Sequence, residues 1–127
     1  MKIKRILIIE DEPSVLDAMS IILKDSGFRT KCAATGLAAV KEATRLNFDL
    51  AVIDLRLPDL SGLKVLESLL QHHPKLKAVL VSAYELPEPG NSMPQGVVGM
   101  LAKPFQPSAL VDLVQGALAV RGAAGRP

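Results

Sequence analysis

The sequence predicts an α/β domain in which helices cover both faces of one parallel β-sheet. Short apolar runs alternate along the chain with longer segments in which apolar residues recur at helical spacing. The short runs are continuously apolar, which is typical of strands buried on both faces of a parallel sheet. This alternation favours right-handed crossovers within a single sheet. At 127 residues the chain has the length of one ordinary domain, which we place at residues 1–120.

Five apolar runs have the length of strands and are rich in valine, isoleucine and leucine. In chain order they read IKRILIIE, FRTKCAA, LAVIDL, KAVLVSA and VVGMLAK. After the first run, apolar residues recur at helical spacing from Val15 to Leu23, and Pro13 and Gly27 suit the first turn and the end of that helix. Further helices are predicted between Gly36 and Leu46, between Leu63 and Leu70, and between Pro107 and Leu118.

The crossover between the fourth and fifth runs departs from this pattern. It reads YELPEPGNSMPQG and contains Pro87, Pro89 and Pro94. A proline inside a helix costs about 3 kcal/mol, so we expect residues 85–96 to form a loop or one short turn in place of a full fourth helix. We expect the terminal RGAAGRP, residues 121–127, to be a disordered tail or linker.

Composition argues against several classes of function. The 15 basic and 13 acidic residues give a net charge of +2 with no basic block, so we expect no binding to nucleic acid. Cys32 is the only cysteine, which excludes an intramolecular disulfide and fits a reducing compartment. No apolar run approaches the roughly 20 residues that span a bilayer, and MKIKRILIIEDE turns acidic where a signal peptide would need a longer apolar region and small residues. We therefore expect a cytoplasmic protein with no membrane contact.

Polar residues stand where the predicted strands end. In an open parallel sheet, ligands bind beyond the carboxyl ends of the strands, at the point where the strand order reverses. If the first and third strands are neighbours, Asp11 and Asp54 converge at this edge. Clustered carboxylates are the ligands of a hard divalent cation, and Mg²⁺ typically takes one or two of them. In full, the strand ends carry Glu10, Asp11 and Glu12 on the first strand, Asp54 on the third, Ser82 on the fourth and Lys103 on the fifth.

Simpler structural interpretations exist for some of these residues. Acids before a helix are favoured by its dipole, and we prefer this interpretation for Glu12. Lys103 could serve only to balance the acids in an ion pair. Asp54 is harder to explain structurally, because it ends the apolar run LAVID and a buried carboxylate needs a cation or hydrogen-bond donors.

Four motifs together resemble a known family. IIEDEP, DLRLPDLSG, VSA and LAKPF, in this order and spacing, are similar to the receiver domain of two-component response regulators over nearly the whole chain. The resemblance implies a flavodoxin-like, doubly wound sheet of five parallel strands in the order 2-1-3-4-5. It also implies a signalling phosphoacceptor rather than an enzyme with a separate substrate. Such a domain receives its phosphoryl group from a histidine kinase or a phosphotransfer protein.

The resemblance implies a role for each residue at a strand end. Asp54 would be the phosphoacceptor, Ser82 the hydroxyl that approaches the phosphoryl group, and Lys103 the cation that pairs with it. The bond between Lys103 and Pro104 would be cis. The ligands of Mg²⁺ would be the carboxylates of Glu10, Asp11 and Asp54 and the backbone carbonyl of Arg56.

Two departures from the family pattern lie on the output side. Met100 stands three residues before Lys103, where the family often has Tyr or Phe, and the proline-rich crossover stands where the fourth helix normally lies. Tyr84 could take over the aromatic role or be an ordinary exposed loop residue.

Other functions and partners stay open at this point. One alternative is a receiver-fold interaction module that acts without phosphorylation. An aspartate-dependent phosphatase is disfavoured, because it would need an acid two residues after the nucleophile and this chain has Arg56 there. The composition of the tail favours an output domain beyond the C-terminus, and the sequence leaves open a homodimer and the identity of the kinase.

Overall fold

The computed structural model of the protein describes residues 2–84 and 94–119. Within these residues, five strands and four helices follow one another along the chain. The strands are β1 (Arg5–Ile9), β2 (Arg29–Ala33), β3 (Leu50–Asp54), β4 (Lys77–Ser82) and β5 (Val97–Ala102). The helices are α1 (Pro13–Asp25), α2 (Gly36–Arg45), α3 (Gly62–His72) and α4 (Pro107–Leu118).

All five strands belong to one parallel sheet in the order β2-β1-β3-β4-β5. This order confirms the predicted flavodoxin-like arrangement. Because β1 pairs with both β2 and β3, the strand order reverses at β1. The parallel neighbours β1 and β3 end at the same edge of the sheet. Ile9 is the register partner of Ile53, so the next residues, Glu10 and Asp54, lie beside each other at that edge.

Two hydrophobic cores lie on opposite faces of the sheet. Successive side chains of a strand point to opposite faces, so Leu7 and Ile9 pack into the core under α2 and α3, while Ile6 and Ile8 pack into the core under α1 and α4. All four side chains are fully buried. Each such side chain contributes about 1.5–3 kcal/mol by leaving water, which explains why β1 is apolar throughout.

Helix α1 begins directly behind the acidic end of β1. Glu12 occupies the N-cap position and Pro13 the first turn, as the sequence predicts, although the Glu12 side chain makes no capping hydrogen bond. The helix ends where Gly27 adopts a positive φ of 97°, a conformation that favours glycine. The amide of Phe28 then donates to the carbonyl of Leu23 at 3.1 Å and closes the helix end.

Strand β5, and to a lesser degree the other edge strand β2, is less buried than the three central strands. None of the six residues of β5 is fully buried, and its pairing with β4 shifts register between Ala78 and Val79. We expected strands covered on both faces, and β5 departs from this because it is an edge strand with a pairing partner on one side only.

Two sequence predictions fall outside the described residues. These are the loop or short turn at 85–96, of which residues 85–93 are not described, and the tail at 121–127. Among the helices of the described ranges, none combines the length and the apolar character that crossing a membrane requires.

Candidate functional site

A polar cleft opens at the carboxyl edge of the sheet, where β1, β3, β4 and β5 end. Its volume is about 450 Å³. The sequence predicts a site at this edge, and most of the side chains proposed for it line the cleft. The lining residues are Glu10, Asp11, Glu12, Asp54, Arg56, Ala83, Tyr84 and Lys103.

Three carboxylates converge in the cleft. Glu10, Asp11 and Asp54 each place one carboxylate oxygen so that these atoms lie within 4.8 Å of one another. Glu10 is fully buried and Asp54 is 6% exposed, whereas Asp11 is exposed. A set of hard carboxylate oxygens at this spacing fits a cation such as Mg²⁺, which binds one or two carboxylates and keeps part of its water.

Lys103 joins two of these acids. Its Nζ lies 2.6 Å from Oε1 of Glu10 and donates a hydrogen bond of 3.1 Å to Oδ2 of Asp54. Its backbone amide donates to the carbonyl of Ser82 at 2.8 Å, and the Lys103–Pro104 bond is cis, as expected. The ammonium group of Lys103 is thus held between the two acids by its charge, and the backbone of Lys103 is hydrogen-bonded to the end of β4.

Burial and ion pairing have opposite effects on the pKa values of Glu10 and Lys103. Burial raises the pKa of the Glu10 carboxyl, and the nearby Asp54 charge adds to the effect, while Lys103 and the Glu12 amide oppose it without cancelling it. Burial alone would lower the pKa of Lys103, but its contacts with Glu10 and Asp54 outweigh burial and raise it. Lys103 therefore stays charged in a site where Glu10 carries its charge only at a cost.

The carboxylate of Asp54 is held from the opposite side by the loop that follows β3. The backbone amide of Arg56 donates to Oδ1 of Asp54 at 3.0 Å. At the far end of the loop, the amide of Gly62 donates to the carbonyl of Leu55 at 2.8 Å. A Cβ atom on Gly62 would lie 2.5 Å from the carbonyl oxygen of Asp54, so only glycine allows α3 to start this close.

Ser82 and Tyr84 form the β4 side of the site. Ser82 is 1% exposed, and its hydroxyl accepts a hydrogen bond of 3.0 Å from the amide of Tyr84. The Tyr84 ring is 60% exposed and stacks under the guanidinium of Arg56, which lies 3.9 Å from the ring centroid. Tyr84 is therefore an exposed aromatic residue, yet one that makes a specific contact at the rim of the cleft.

Sequence reasoning missed the residues that fix the backbone around the site. Gly62 was not recognised as a close-approach position, and Asp59 was not recognised as a partner of α2, whose first two amides it binds. The only available signal was the turn-forming LPDLSG, because glycine, aspartate and serine mark turns without saying what they contact. Met100 is half-buried and packs against the core under α2 and α3.

Comparison with known proteins agrees with this geometry. Residues 6–115 match the family model described as the response regulator receiver domain. The regulatory protein AtoC of Escherichia coli is 32% identical over 117 residues, and the response regulator protein PilR of Pseudomonas aeruginosa is 32% identical over 122 residues. The aligned parts cover 91% and 95% of this chain but only 25% and 27% of those proteins. The chain thus spans about a quarter of the length of these two relatives.

Solved structures share the fold. A CheY-like response regulator receiver domain protein from Methanospirillum hungatei has a TM-score of 0.83 and 30% identity, with 91% of this chain and 93% of that chain covered. The response regulator protein TrrA from Thermotoga maritima, in complex with Mg²⁺ and BeF, has a TM-score of 0.81 and 28% identity, with 91% and 100% covered. Because the family match extends over most of the chain and the strand order agrees with it, this chain belongs to the receiver domains of two-component response regulators.

Proposed function

We propose that this domain accepts a phosphoryl group on Asp54 from a histidine kinase or a phosphotransfer protein, in a reaction that requires Mg²⁺. The observation that carries the proposal is the setting of the Asp54 carboxylate. It is almost buried, lies within a cluster of three carboxylates and is hydrogen-bonded to the Lys103 ammonium. A nucleophilic carboxylate needs such positive charge beside it, because an incoming phosphoryl group is itself negative.

Asp54 would act as the nucleophile. One carboxylate oxygen forms a bond to phosphorus while the bond between phosphorus and the imidazole nitrogen of the donor breaks, and that electron pair stays on the imidazole. The Arg56 amide on Oδ1 and Lys103 on Oδ2 already fix the orientation of the carboxylate. Little reorganisation is then needed during transfer, so the protein contributes mainly position and charge.

Two further groups would stabilise the negative charge of the transferred phosphoryl group. Lys103 carries a full positive charge next to Asp54. The Ser82 hydroxyl accepts from the Tyr84 amide and can still donate its own proton to a phosphoryl oxygen. We assign Ser82 and Lys103 to this role.

The acidic cluster would hold the metal ion. The carboxylates of Glu10, Asp11 and Asp54 and the backbone carbonyl of Arg56 would bind Mg²⁺, which when bound offsets the negative charge of carboxylates and phosphoryl oxygens. Lys103 offsets part of the same charge when it pairs with Glu10 and Asp54.

The effect of phosphorylation would be transmitted through the end of β4. If the Ser82 hydroxyl turns toward the phosphoryl group, its hydrogen bond from the Tyr84 amide weakens, and the chain after β4 gains a second arrangement. The relatives AtoC and PilR are much longer regulators, so we propose that this domain signals to an output domain or partner that is not part of it.

The test is the intact mass of the protein after incubation with Mg²⁺ and a small phosphodonor, followed by a phosphorylated histidine phosphotransfer protein as a second donor. We expect a gain of one phosphoryl group in the wild type and none after chelation of Mg²⁺. Asp54→Asn should gain nothing, because the amide is not a nucleophile. Asp17→Asn, an exposed acid on α1, is the matched control and should behave like the wild type.

The opposite result would favour the alternative function. A folded wild-type protein that binds Mg²⁺ yet gains no phosphoryl group from either donor would indicate an interaction module that acts without phosphorylation. A gain that persists in Asp54→Asn would move the phosphoacceptor to another residue.

A further inference from the structure

Asp59 connects the loop after β3 to the N-terminus of α2. Its Oδ1 accepts a hydrogen bond of 2.8 Å from the amide of Gly36, and its Oδ2 accepts one of 2.9 Å from the amide of Leu37. These are the first two residues of α2, whose amides have no partner within the helix. The pKa of the Asp59 carboxyl is lowered by the same two amides, first Gly36 and then Leu37, so the carboxylate is charged at neutral pH.

Asp59 is not the local cap of this helix. Thr35 is the N-cap residue, and its hydroxyl accepts from the amide of Ala38 at 3.0 Å. Asp59 comes from 23 residues further along the chain and binds the two amides that Thr35 leaves free. The contact therefore does more than start a helix, because it ties a second element to that helix.

The loop that carries Asp59 is closed on the phosphoacceptor at both of its ends. At its start, the Arg56 amide binds Oδ1 of Asp54, and Arg56 also forms an isolated antiparallel bridge with Ser61. At its end, Gly62 lies against the carbonyl of Asp54. Movement of the loop at residues 55–61 would therefore move the amide that orients the Asp54 carboxylate.

The packing around α2 leaves the loop little room to shift. A Cβ atom on Gly36 would lie 2.7 Å from Cγ2 of Val65 and 3.1 Å from Cδ1 of Leu60, so the helix start presses directly on the loop and on α3. Asp59 itself is exposed. Its two hydrogen bonds, rather than burial of its side chain, hold its position.

We propose that Asp59 is a positioning residue for phosphoryl transfer, which clamps the loop at residues 55–61 to α2 and thereby holds the Arg56 backbone against Asp54. This inference rests on the proposed function. Arg56 contributes twice to that function, through the amide that donates to Oδ1 of Asp54 and through the carbonyl that we assign to Mg²⁺. Loss of the clamp should weaken metal binding and slow transfer without removing any group that touches the phosphoryl.

The test compares Asp59→Ala with Thr35→Ala. Both variants remove side-chain acceptors from the N-terminus of α2 and should weaken the start of that helix to a similar extent, but only Asp59 belongs to the loop. The first readout is hydrogen exchange of the Arg56 amide by NMR in protein without metal. The second is the Mg²⁺ concentration that half-saturates the protein in a titration, and the third is the rate of phosphorylation.

We expect Asp59→Ala to speed exchange of the Arg56 amide about tenfold and to raise the half-saturating Mg²⁺ concentration by a similar factor. Thr35→Ala should leave all three readouts near the wild-type values. Asp59→Asn keeps one acceptor oxygen and should give intermediate values. If Asp59→Ala folds too poorly for NMR, Asp59→Asn is compared with Thr35→Ala instead.

The outcomes separate this inference from the proposed function. Equal changes in the Asp59 and Thr35 variants, or none in either, would overturn the inference and make Asp59 an ordinary second cap. A wild-type protein that is not phosphorylated would overturn the proposed function. Amide exchange and Mg²⁺ titration would still show, without any transfer, whether Asp59 positions the Arg56 backbone.

Discussion

Asp54 and Lys103 meet in one cleft, but the strands that bring them there are different. Asp54 ends β3, a central strand in which every residue is buried and the register with both neighbours is regular. Lys103 follows β5, an edge strand with no fully buried residue and a register shift against β4. Asp54 is thus held by the core, whereas Lys103 is held chiefly by its ion pairs and by one backbone hydrogen bond to Ser82.

This contrast suggests a division of labour within the site. A phosphoacceptor benefits from a fixed position, because misplacement of reacting groups by about 1 Å can cost a factor of about 100 in rate. A cation that must pair first with carboxylates and then with a phosphoryl group benefits from a support that can adjust. The core therefore fixes the nucleophile, while the edge of the sheet carries the group that responds to it.

The largest expected effect comes from removing the responding cation. Lys103→Met keeps most of the apolar stem but deletes the charge next to Asp54, and we expect the phosphorylation rate to fall by a factor of about 100 or more. The measurement is the initial rate of phosphoryl gain by intact mass at saturating Mg²⁺. Lys41→Met, an exposed lysine on α2, is the matched control. A wild-type rate in Lys103→Met would mean that Lys103 only balances the buried acids.

The next prediction compares the effect of an added Cβ atom beside the backbone of β3 with its effect in β5. Gly62→Ala places a Cβ atom 2.5 Å from the Asp54 carbonyl oxygen and 2.8 Å from Cα of Leu55, which are backbone atoms that cannot move without moving β3. Gly99→Ala in β5 meets the end of the flexible Leu113 side chain at 2.6 Å instead. We expect Gly62→Ala to lower the free energy of unfolding by about 1–3 kcal/mol and Gly99→Ala to lower it by less.

Chemical denaturation of these variants measures the difference. Gly116→Ala in α4, where a Cβ atom would meet nothing within 4 Å, is the control and should be neutral or stabilise by up to about 1 kcal/mol. If Gly99→Ala is as destabilising as Gly62→Ala, then β5 is as rigid as β3 and the contrast between the two supports fails.

The sequence predicted the part of the site that depends on strand ends. Apolar runs locate the strands, parallel order places their carboxyl ends together, and the polar residues that end or follow the first, third and fifth runs then fall in one cleft. Glu10, Asp54 and Lys103 are in contact for this reason, and Asp11 lies beside them.

The parts that the sequence did not predict depend on distances between elements that are remote along the chain. Asp59 reaches back 23 residues to Gly36, and nothing in LPDLSG indicates that contact. The apolar VVGMLAK resembles the other strand sequences, yet β5 is only half-buried because the order of the sheet, and not its composition, makes it an edge. Periodicity describes which residues prefer burial, whereas coverage by neighbouring elements decides whether they obtain it.

The smallest expected effect is on the pH dependence of stability, because it concerns one ion-pair network in protein without Mg²⁺. The pKa of Lys103 is raised above its ordinary value of 10.5, so its contribution to stability is complete below pH 10.5 and is lost as the pH rises through the folded-state pKa. The pKa of Glu10 is raised above 4.5, so stability decreases as the pH rises from 4.5 through the folded-state pKa of that carboxyl.

Lys103→Met separates the two contributions in urea denaturation over a pH series. The alkaline loss of stability above pH 10.5 should be smaller in the variant than in the wild type, because the titrating ammonium is gone. The decrease that begins near pH 4.5 should extend to higher pH, because Lys103 no longer opposes the effect of burial on Glu10. Parallel pH profiles for the two proteins would contradict the view that Lys103 is held by its carboxylate partners, and would shift its support to the backbone of β5.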